Sequence, residues 1–290
     1  MTTPAPAEPI DLRLVVCDMD GTLLDDDKQL PAGFPALVSR LHDAGVVFCP
    51  ASGRQHATLV GMFPDLPADA VIIAENGAYV TSGGAELSAS PLPLETVRRI
   101  VAAMDDLAAT EDLGVIVCAA DTAYVDRTDE SFRVHVDPHY AEVRDVPSLH
   151  DLLEAPEAGD LLLVKVAVWA AGGPEGAVLS ALDEAADADG DVVVSGPQYV
   201  DVMAAGTHKG LAVAALRDRL GLERDQVAVF GDAPNDAEMM SEGSWSFAVA
   251  NAHDEVIARA RFRAPANSED GVLRTLHRLL DGERPDRPGW

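Results

Sequence analysis

The sequence predicts an α/β protein: a parallel sheet covered by helices on both faces, interrupted by an inserted α+β domain. Three observations lead there. Short, nearly continuous apolar runs alternate with segments of helical periodicity, the pattern of strands buried on both faces of a parallel sheet. Five of those runs end in a polar residue: Asp18, Ser52, Asn76, Asp232 and Asn251. The middle of the chain breaks the alternation with a glycine-turned hairpin and longer strands.

Taken in order, "LRLVVCD" (12–18) is the first strand. Phe34, Leu37, Val38 and Leu41 recur at helical spacing, and Gly45 ends that helix. "VVFCPAS" (46–52), a short helical stretch and "VIIAEN" (71–76) follow. "AYVTSGGAELSAS" reads as a hairpin turned at Gly83–Gly84. Val97, Ile100, Val101, Met104 and Leu107 form one helical stripe, before strand-like "GVIVCAA" (114–120). "FRVHVDPHY" (132–140) reads as a strand and turn with exposed histidines, the alternative being that its aromatics and histidines face a substrate. "LLLVKVAVWA" (161–170) is a strand, "PEGAVLSALDEAA" a helix and "DVVVSG" a strand. The parallel pattern resumes with the helix "LAVAALRDRLG" (211–221) and the strands "VAVFGD" (227–232) and "SFAVAN" (246–251). The expected organisation is a core in two parts, 1–88 and 195–290, around an insert at 89–194.

Composition narrows the function. With 290 residues, 48% of them hydrophobic and 24% charged, the chain has the make-up of a soluble globular protein with a sizeable core. No run approaches the ~18 apolar residues of a membrane span. "MTTPAPAEPI" has neither positive charge nor a long apolar stretch, so it reads as a short disordered lead rather than a signal peptide. The tail "DGERPDRPGW" reads likewise. Cys17, Cys49 and Cys118 are odd in number and widely spaced, which suits buried thiols in a reducing, cytoplasmic setting. The formal charge is −28, and residues 89–194 carry 6 basic against 22 acidic side chains. That field argues against nucleic-acid and anionic-membrane partners, whose phosphates need Lys and Arg. A small phosphorylated ligand remains compatible, because a local cation overrides the global field.

The polar strand ends carry the chemistry. In open α/β sheets ligands sit beyond the carboxyl ends of the strands, so five such endings describe one site assembled from distant segments. Asp18 and Asp20 lie two apart, on the same side of a strand's end. Two carboxylates that close need a cation, or one must hold a proton. A divalent metal would neutralise them; alternatively a protonated Asp20 would serve a leaving oxygen while Asp18 attacks phosphorus. Gly21 permits a sharp turn, and Thr22 offers a hydroxyl and an N–H to phosphate oxygens. Taken alone, the Asp-x-Asp pair equally fits an acidic turn.

"VFGDAPND" (229–236) is a second strand emptying into carboxylates, Asp232 and Asp236. Mg²⁺ takes one or two carboxylates besides water and substrate phosphate. Asp18, Asp232 and the backbone carbonyl of Asp20 fit that count, with Asn235 and Asp236 orienting them. An Asp-, Pro- and Asn-rich turn is the plainer alternative. Lys209, one of only three lysines, opens a helix, an unfavourable placement for stability that a bound anion would offset. Ser52 and Gly53, in "PASGR", offer a hydroxyl and an N–H to phosphate oxygens.

"DMDGTLL", "ASGR", Lys209–Gly210 and "GDAPND" stand in the order and character of four motifs. The chain thereby resembles the haloacid dehalogenase-like hydrolase superfamily. "ENGAYV" (75–80), "YVDVMAAGTHKG" (199–210) and "NSEDGVLRTL" (267–276) are similar to its Cof-type phosphatase branch, subfamily IIB. The resemblance implies a Rossmann-like core, an α+β cap inserted between the second and third motifs, and a Mg²⁺-dependent phosphatase of a small phosphorylated metabolite. It implies Asp18 as nucleophile and Asp20 as general acid and then base, with the Asp20 carbonyl on Mg²⁺. Ser52 and Lys209 would bind phosphate, Asp232 would ligate Mg²⁺, Asn235 would contact phosphate or substrate, and Asp236 would support the metal shell. Ser52 stands for a frequent threonine and keeps the hydroxyl. A sugar-phosphate mutase and a non-enzymatic phosphoacceptor or metabolite-binding regulator are the alternatives.

Overall fold

The computed structural model describes residues 10–63, 66–67 and 69–285. The lead expected before residue 10 and the last five residues of the tail lie outside these. The strands, in chain order, are β1 (Leu14–Asp18), β2 (Val47–Ala51), β3 (Val71–Ala74), β4 (Tyr79–Ser82), β5 (Ala85–Ala89), β6 (Leu113–Ala119), β7 (Ala123–Val125), β8 (Val143–Asp145), β9 (Leu163–Ala170), β10 (Gly190–Gly196), β11 (Tyr199–Ala204), β12 (Val227–Gly231), β13 (Trp245–Val249) and β14 (Phe262–Ala264). The helices are α1 (Phe34–Asp43), α2 (His56–Met62), α3 (Leu94–Leu107), α4 (Glu130–Val136), α5 (Leu149–Glu154), α6 (Ala177–Ala186), α7 (Lys209–Arg219), α8 (Asp254–Arg259) and α9 (Gly271–Leu280). Of the described residues, those within Met1–Ser52, Asp65–Val71 and Lys209–Trp290 form one compact unit, and those within Gly53–Pro64 and Ile72–His208 a second.

The first unit holds the strand order β14-β13-β12-β1-β2, and every neighbouring pair is parallel. All five residues of β1, β12 and β13 are buried, so these strands could be near-continuous apolar runs. The α1 helix buries Phe34, Leu37, Val38 and Leu41, with Arg40 and His42 in its last turn where the macrodipole favours positive charge. From β1 the chain proceeds to β2 on one side, and it returns much later as β12 on the other. The order therefore reverses between β1 and β12, and a crevice opens at such a switch point.

The second unit contains the β4–β5 hairpin, turned at Gly83 and Gly84 with φ of +58° and +76°, the left-handed pair that a tight hairpin requires. Its larger sheet runs β10-β11-β9-β6-β7-β8, antiparallel except for β7–β8. One face packs Val115, Val117, Val166, Val168, Val200 and Val202 against Val97, Ile100 and Met104 of α3 and Leu182 of α6. The opposite face gathers Ile116, Ala167 and Trp169 with Phe132 and Val136 of α4.

Here the strand expected in "FRVHVDPHY" is corrected: residues 130–136 are the helix α4. Phe132 and Val136, four apart, face the core while Val134 is 56% exposed, so the Phe-x-Val-x-Val alternation is incidental. The Asp129 side chain accepts the Phe132 N–H and caps the helix. The three cysteines are buried thiols outside any disulfide. No helix among the described residues is long and apolar enough to cross a membrane.

Candidate active site

Strand register builds the site. Asp18, the last residue of β1, lies opposite Ala51 of β2, so Ser52 stands one residue beyond it. On the other side Cys17 pairs with Phe230, and Asp232 follows one residue past the end of β12. Lys209, the first residue of α7, is wholly buried. Its Nζ donates to Asp18 Oδ1 at 2.5 Å and to Asp236 Oδ1 at 2.7 Å. Asp236 ends the short turn Pro234–Asp236, and its Oδ2 accepts the N–H groups of Asp232 (2.9 Å) and Ala233 (3.1 Å). Asp18, Asp232 and Asp236 each bring a carboxylate oxygen within 4.8 Å of the others.

The loop after β1 is fitted to this cluster. Gly21 has φ +83°, and a Cβ there would run into the Asp232 carboxylate, so both backbone and space demand glycine. Thr22 was expected to turn its hydroxyl and N–H toward phosphate. Instead its Oγ1 donates to Asp232 Oδ1 at 2.8 Å, and its N–H goes to the Met19 carbonyl at 3.3 Å. Asn251 donates from Nδ2 to the Gly21 carbonyl at 2.7 Å and accepts the Asn267 N–H. Asn267 in turn donates to the Leu24 carbonyl at 3.0 Å. This Asn251–Asn267 brace lies outside the four motifs. Asn251 was visible as a polar strand end; Asn267 opens the family-like "NSEDGVLRTL".

The electrostatics follow from crowding. Burial pushes the Asp18 carboxyl well above its ordinary range, Asp236 adds to this, and Lys209 opposes without winning. Burial likewise raises Asp232, against the Thr22 hydrogen bond. Burial pulls Lys209 down, but Asp18 and Asp236 more than offset it and hold it above the usual lysine range. Three carboxylates around one ammonium leave an excess of negative charge, and the donor atoms are all hard oxygens. Both facts fit a small divalent cation such as Mg²⁺. Asp236 already has both oxygens engaged, by Lys209 and by two N–H groups, which leaves Asp18 and Asp232 as the better donors.

The remaining candidates are placed as follows. The Asp20 carboxylate, 35% exposed, pairs with Lys28 at 3.1 Å. Ser52 is buried. The Gly53 carbonyl accepts from Lys165. Asn235 is half-buried on the turn that carries Asp236. Asp18, Thr22, Lys209, Asp232 and Asp236 are thus joined by direct contacts, while the Asp20 carboxylate is turned to Lys28.

These features define a class: an α/β protein with a buried carboxylate–ammonium cluster at the switch point of a parallel sheet. The family profile described as haloacid dehalogenase-like hydrolase matches residues 15–276. The 5-amino-6-(5-phospho-D-ribitylamino)uracil phosphatase YbjI of Escherichia coli K12 is 30% identical over 279 residues, covering 94% of this chain and 98% of that protein. YitU of Bacillus subtilis 168, a phosphatase of the same name, is 27% identical over 274 residues, covering 91% and 96%. The crystal structure of SMU.1108c from Streptococcus mutans UA159 superposes with a TM-score of 0.80 at 24% identity, covering 93% and 99%; it supports the fold. The chain belongs to the haloacid dehalogenase-like hydrolases, and within them to the phosphatases.

Proposed function

We propose that this enzyme hydrolyses a small phosphate monoester through a phosphorylated Asp18. The observation that carries the reading is the Asp18–Lys209–Asp236 contact beside Asp232 at the β1/β12 switch point. The Asp18 carboxylate attacks phosphorus in line, and the ester P–O bond breaks as Asp20 gives its proton to the leaving oxygen. Asp20 then takes a proton from water; that water displaces Asp18 and releases inorganic phosphate. Splitting one difficult displacement into two is what covalent catalysis supplies. Asp20 is open enough to exchange protons with water, being 35% exposed, and its Lys28 contact has to loosen for the carboxyl to carry the proton.

Asp18, Asp232 and the backbone carbonyl of Asp20 would hold Mg²⁺, which when bound would supply positive charge for the phosphoryl oxygens. Thr22 and Asp236 orient Asp232 through the hydrogen bonds described above. Lys209 screens Asp18 and, with Ser52, Gly21, Gly53 and Asn235, receives the phosphoryl group. The α+β insert expected at residues 89–194 is the candidate for selecting the substrate. The first substrate to test is 5-amino-6-(5-phospho-D-ribitylamino)uracil, which the two relatives named above carry in their names. Purified enzyme is expected to release phosphate from it, and from an aryl phosphate, with Mg²⁺ and not with EDTA. Turnover that survives EDTA would exclude the metal assignment.

A further inference from the structure

Lys165 is one of three lysines in the chain, and it lies in the middle of a sheet at 3% exposure. Lysines are almost never so buried without a task or a partner. Its Nζ is 2.6 Å from Glu75 Oε2 and 3.5 Å from Asp201 Oδ2. It also donates to the Gly53 carbonyl at 3.2 Å. The β6–β9 ladder slips beside it: Cys118 pairs with Lys165, but Ala119 pairs with Leu163. Such a bulge re-aims a side chain. The sheet does not require this charge, since well-packed apolar residues commonly replace a buried ion pair at no loss of stability.

Its partner sits in a strained turn. Glu75, Asn76 and Gly77 have φ of +49°, +54° and +99°. A left-handed non-glycine residue is strained and persists only where its surroundings over-determine it. The Lys165–Glu75 ion pair and a Glu75 N–H donated to the Arg54 carbonyl at 3.1 Å do so here. The turn brings the Asn76 side chain onto Gly53, where an added Cβ would stand 3.0 Å from both Asn76 Nδ2 and Oδ1. The Gly53 peptide is therefore held by an ammonium on its carbonyl and by an amide against its Cα. Gly53 directly follows Ser52, itself placed by the β1–β2 register.

We propose that Lys165, acting with the Glu75–Asn76 turn, is a positioning residue that clamps Gly53 through its carbonyl and Cα and so fixes the Gly53 N–H as a donor to a phosphoryl group. This rests on the phosphatase reading above and adds residues which that reading does not use. A charge-assisted hydrogen bond is the stronger kind, and a misplacement of about 1 Å in a binding group costs up to about a hundredfold in rate.

The test compares Lys165→Met, Lys165→Met/Glu75→Gln and the milder Glu75→Gln with the parent enzyme. The readouts are KM and kcat on an aryl phosphate, Ki for inorganic phosphate, and Tm. The clamp predicts that KM and phosphate Ki rise together, by about ten- to hundredfold, in every variant that folds. The charge-balanced double variant is expected to recover Tm relative to Lys165→Met without recovering KM, which a purely structural role would not produce. If the Lys165 variants fail to fold, Glu75→Gln decides. A folded variant with KM and phosphate Ki within about twofold of the parent overturns the clamp. Asp18→Asn is assayed alongside: its surviving turnover would remove the phosphatase mechanism, whereas an unchanged Glu75→Gln beside a dead Asp18→Asn removes the clamp alone.

Discussion

Lys209 in the parallel-sheet unit and Lys165 in the antiparallel-sheet unit are each buried against two carboxylates. At Lys209 both contacts are short, 2.5 and 2.7 Å, and a third carboxylate, Asp232, crowds the same space. At Lys165 one contact is short and the other 3.5 Å, and a backbone carbonyl completes the set. Burial raises the carboxyl groups in both places, Asp18 well above its range and Glu75 more modestly, with Lys165 opposing. The difference lies in the surplus. The first cluster carries enough extra negative charge to call for a divalent cation; the second is closer to balance and can only hold something in place. On the proposed reading, similar ammonium–carboxylate arrangements serve chemistry in one unit and geometry in the other.

The largest expected effect is at the nucleophile. Asp18→Asn should lower kcat by roughly 10⁴-fold or more, measured on an aryl phosphate. Because the buried carboxylate repels Asp236 and Asp232, the metal-free variant should melt no lower than the parent. A large drop in Tm would show Asp18 to be structural and erase the contrast with Lys165.

Next comes Lys209→Met, which leaves three carboxylates around an apolar side chain. It should abolish turnover and destabilise the metal-free protein by about 3–5 kcal/mol, read by denaturant unfolding at neutral pH. Mg²⁺ should restore part of the lost stability.

Metal linkage sharpens the comparison further. Folding raises Asp18 and Asp232, so the folded state binds their protons more tightly than the unfolded chain. That contribution to stability is present below the ordinary carboxylate range near 4 and is lost as pH rises through the raised values. A bound cation competes with the same protons. The gain in Tm on adding Mg²⁺ should therefore be small near pH 4 and grow toward neutrality. A pH-independent gain would place the cation elsewhere.

The smallest effect is expected at Asp201→Asn, where the contact removed is 3.5 Å long and Glu75 stays with Lys165. The loss of stability should be smaller than that of Lys165→Met, because Glu75 keeps the ammonium paired. Equal losses would mean that Lys165 is shared evenly and that Glu75 has no special hold on it.

Much of the first cluster was legible in the sequence because parallel strands advertise their ends: an apolar run that stops on Asp18 or just before Asp232 locates a carboxylate at a sheet edge without any knowledge of pairing. Lys209 stood out because the chain is so poor in lysine. Lys165 was equally rare, yet it lay inside "LLLVKVAVWA", and a one-residue slip against β6 decides where its side chain goes. Register is a pairing property, which a single strand does not encode. The α4 helix was hidden for the opposite reason: its local pattern spoke for a strand, and only the burial of Phe132 and Val136 together, with the Asp129 cap, reveals the turn. Thr22 illustrates a third limit, since its hydroxyl had two plausible acceptors and the fold of the Gly21 loop chose Asp232.

The three buried thiols give this protein a built-in clock for its own opening. Cys17 and Cys49 lie in adjacent strands of the first unit, and Cys118 lies in the second. Burial raises Cys17 well above the ordinary thiol range, with Asp18 adding to it, and burial raises Cys118 as well, so neither presents a reactive thiolate while folded. An alkylating reagent can then mark each one only when its strand leaves the sheet. Labelling rates resolved residue by residue would time the two units separately, without a probe being introduced.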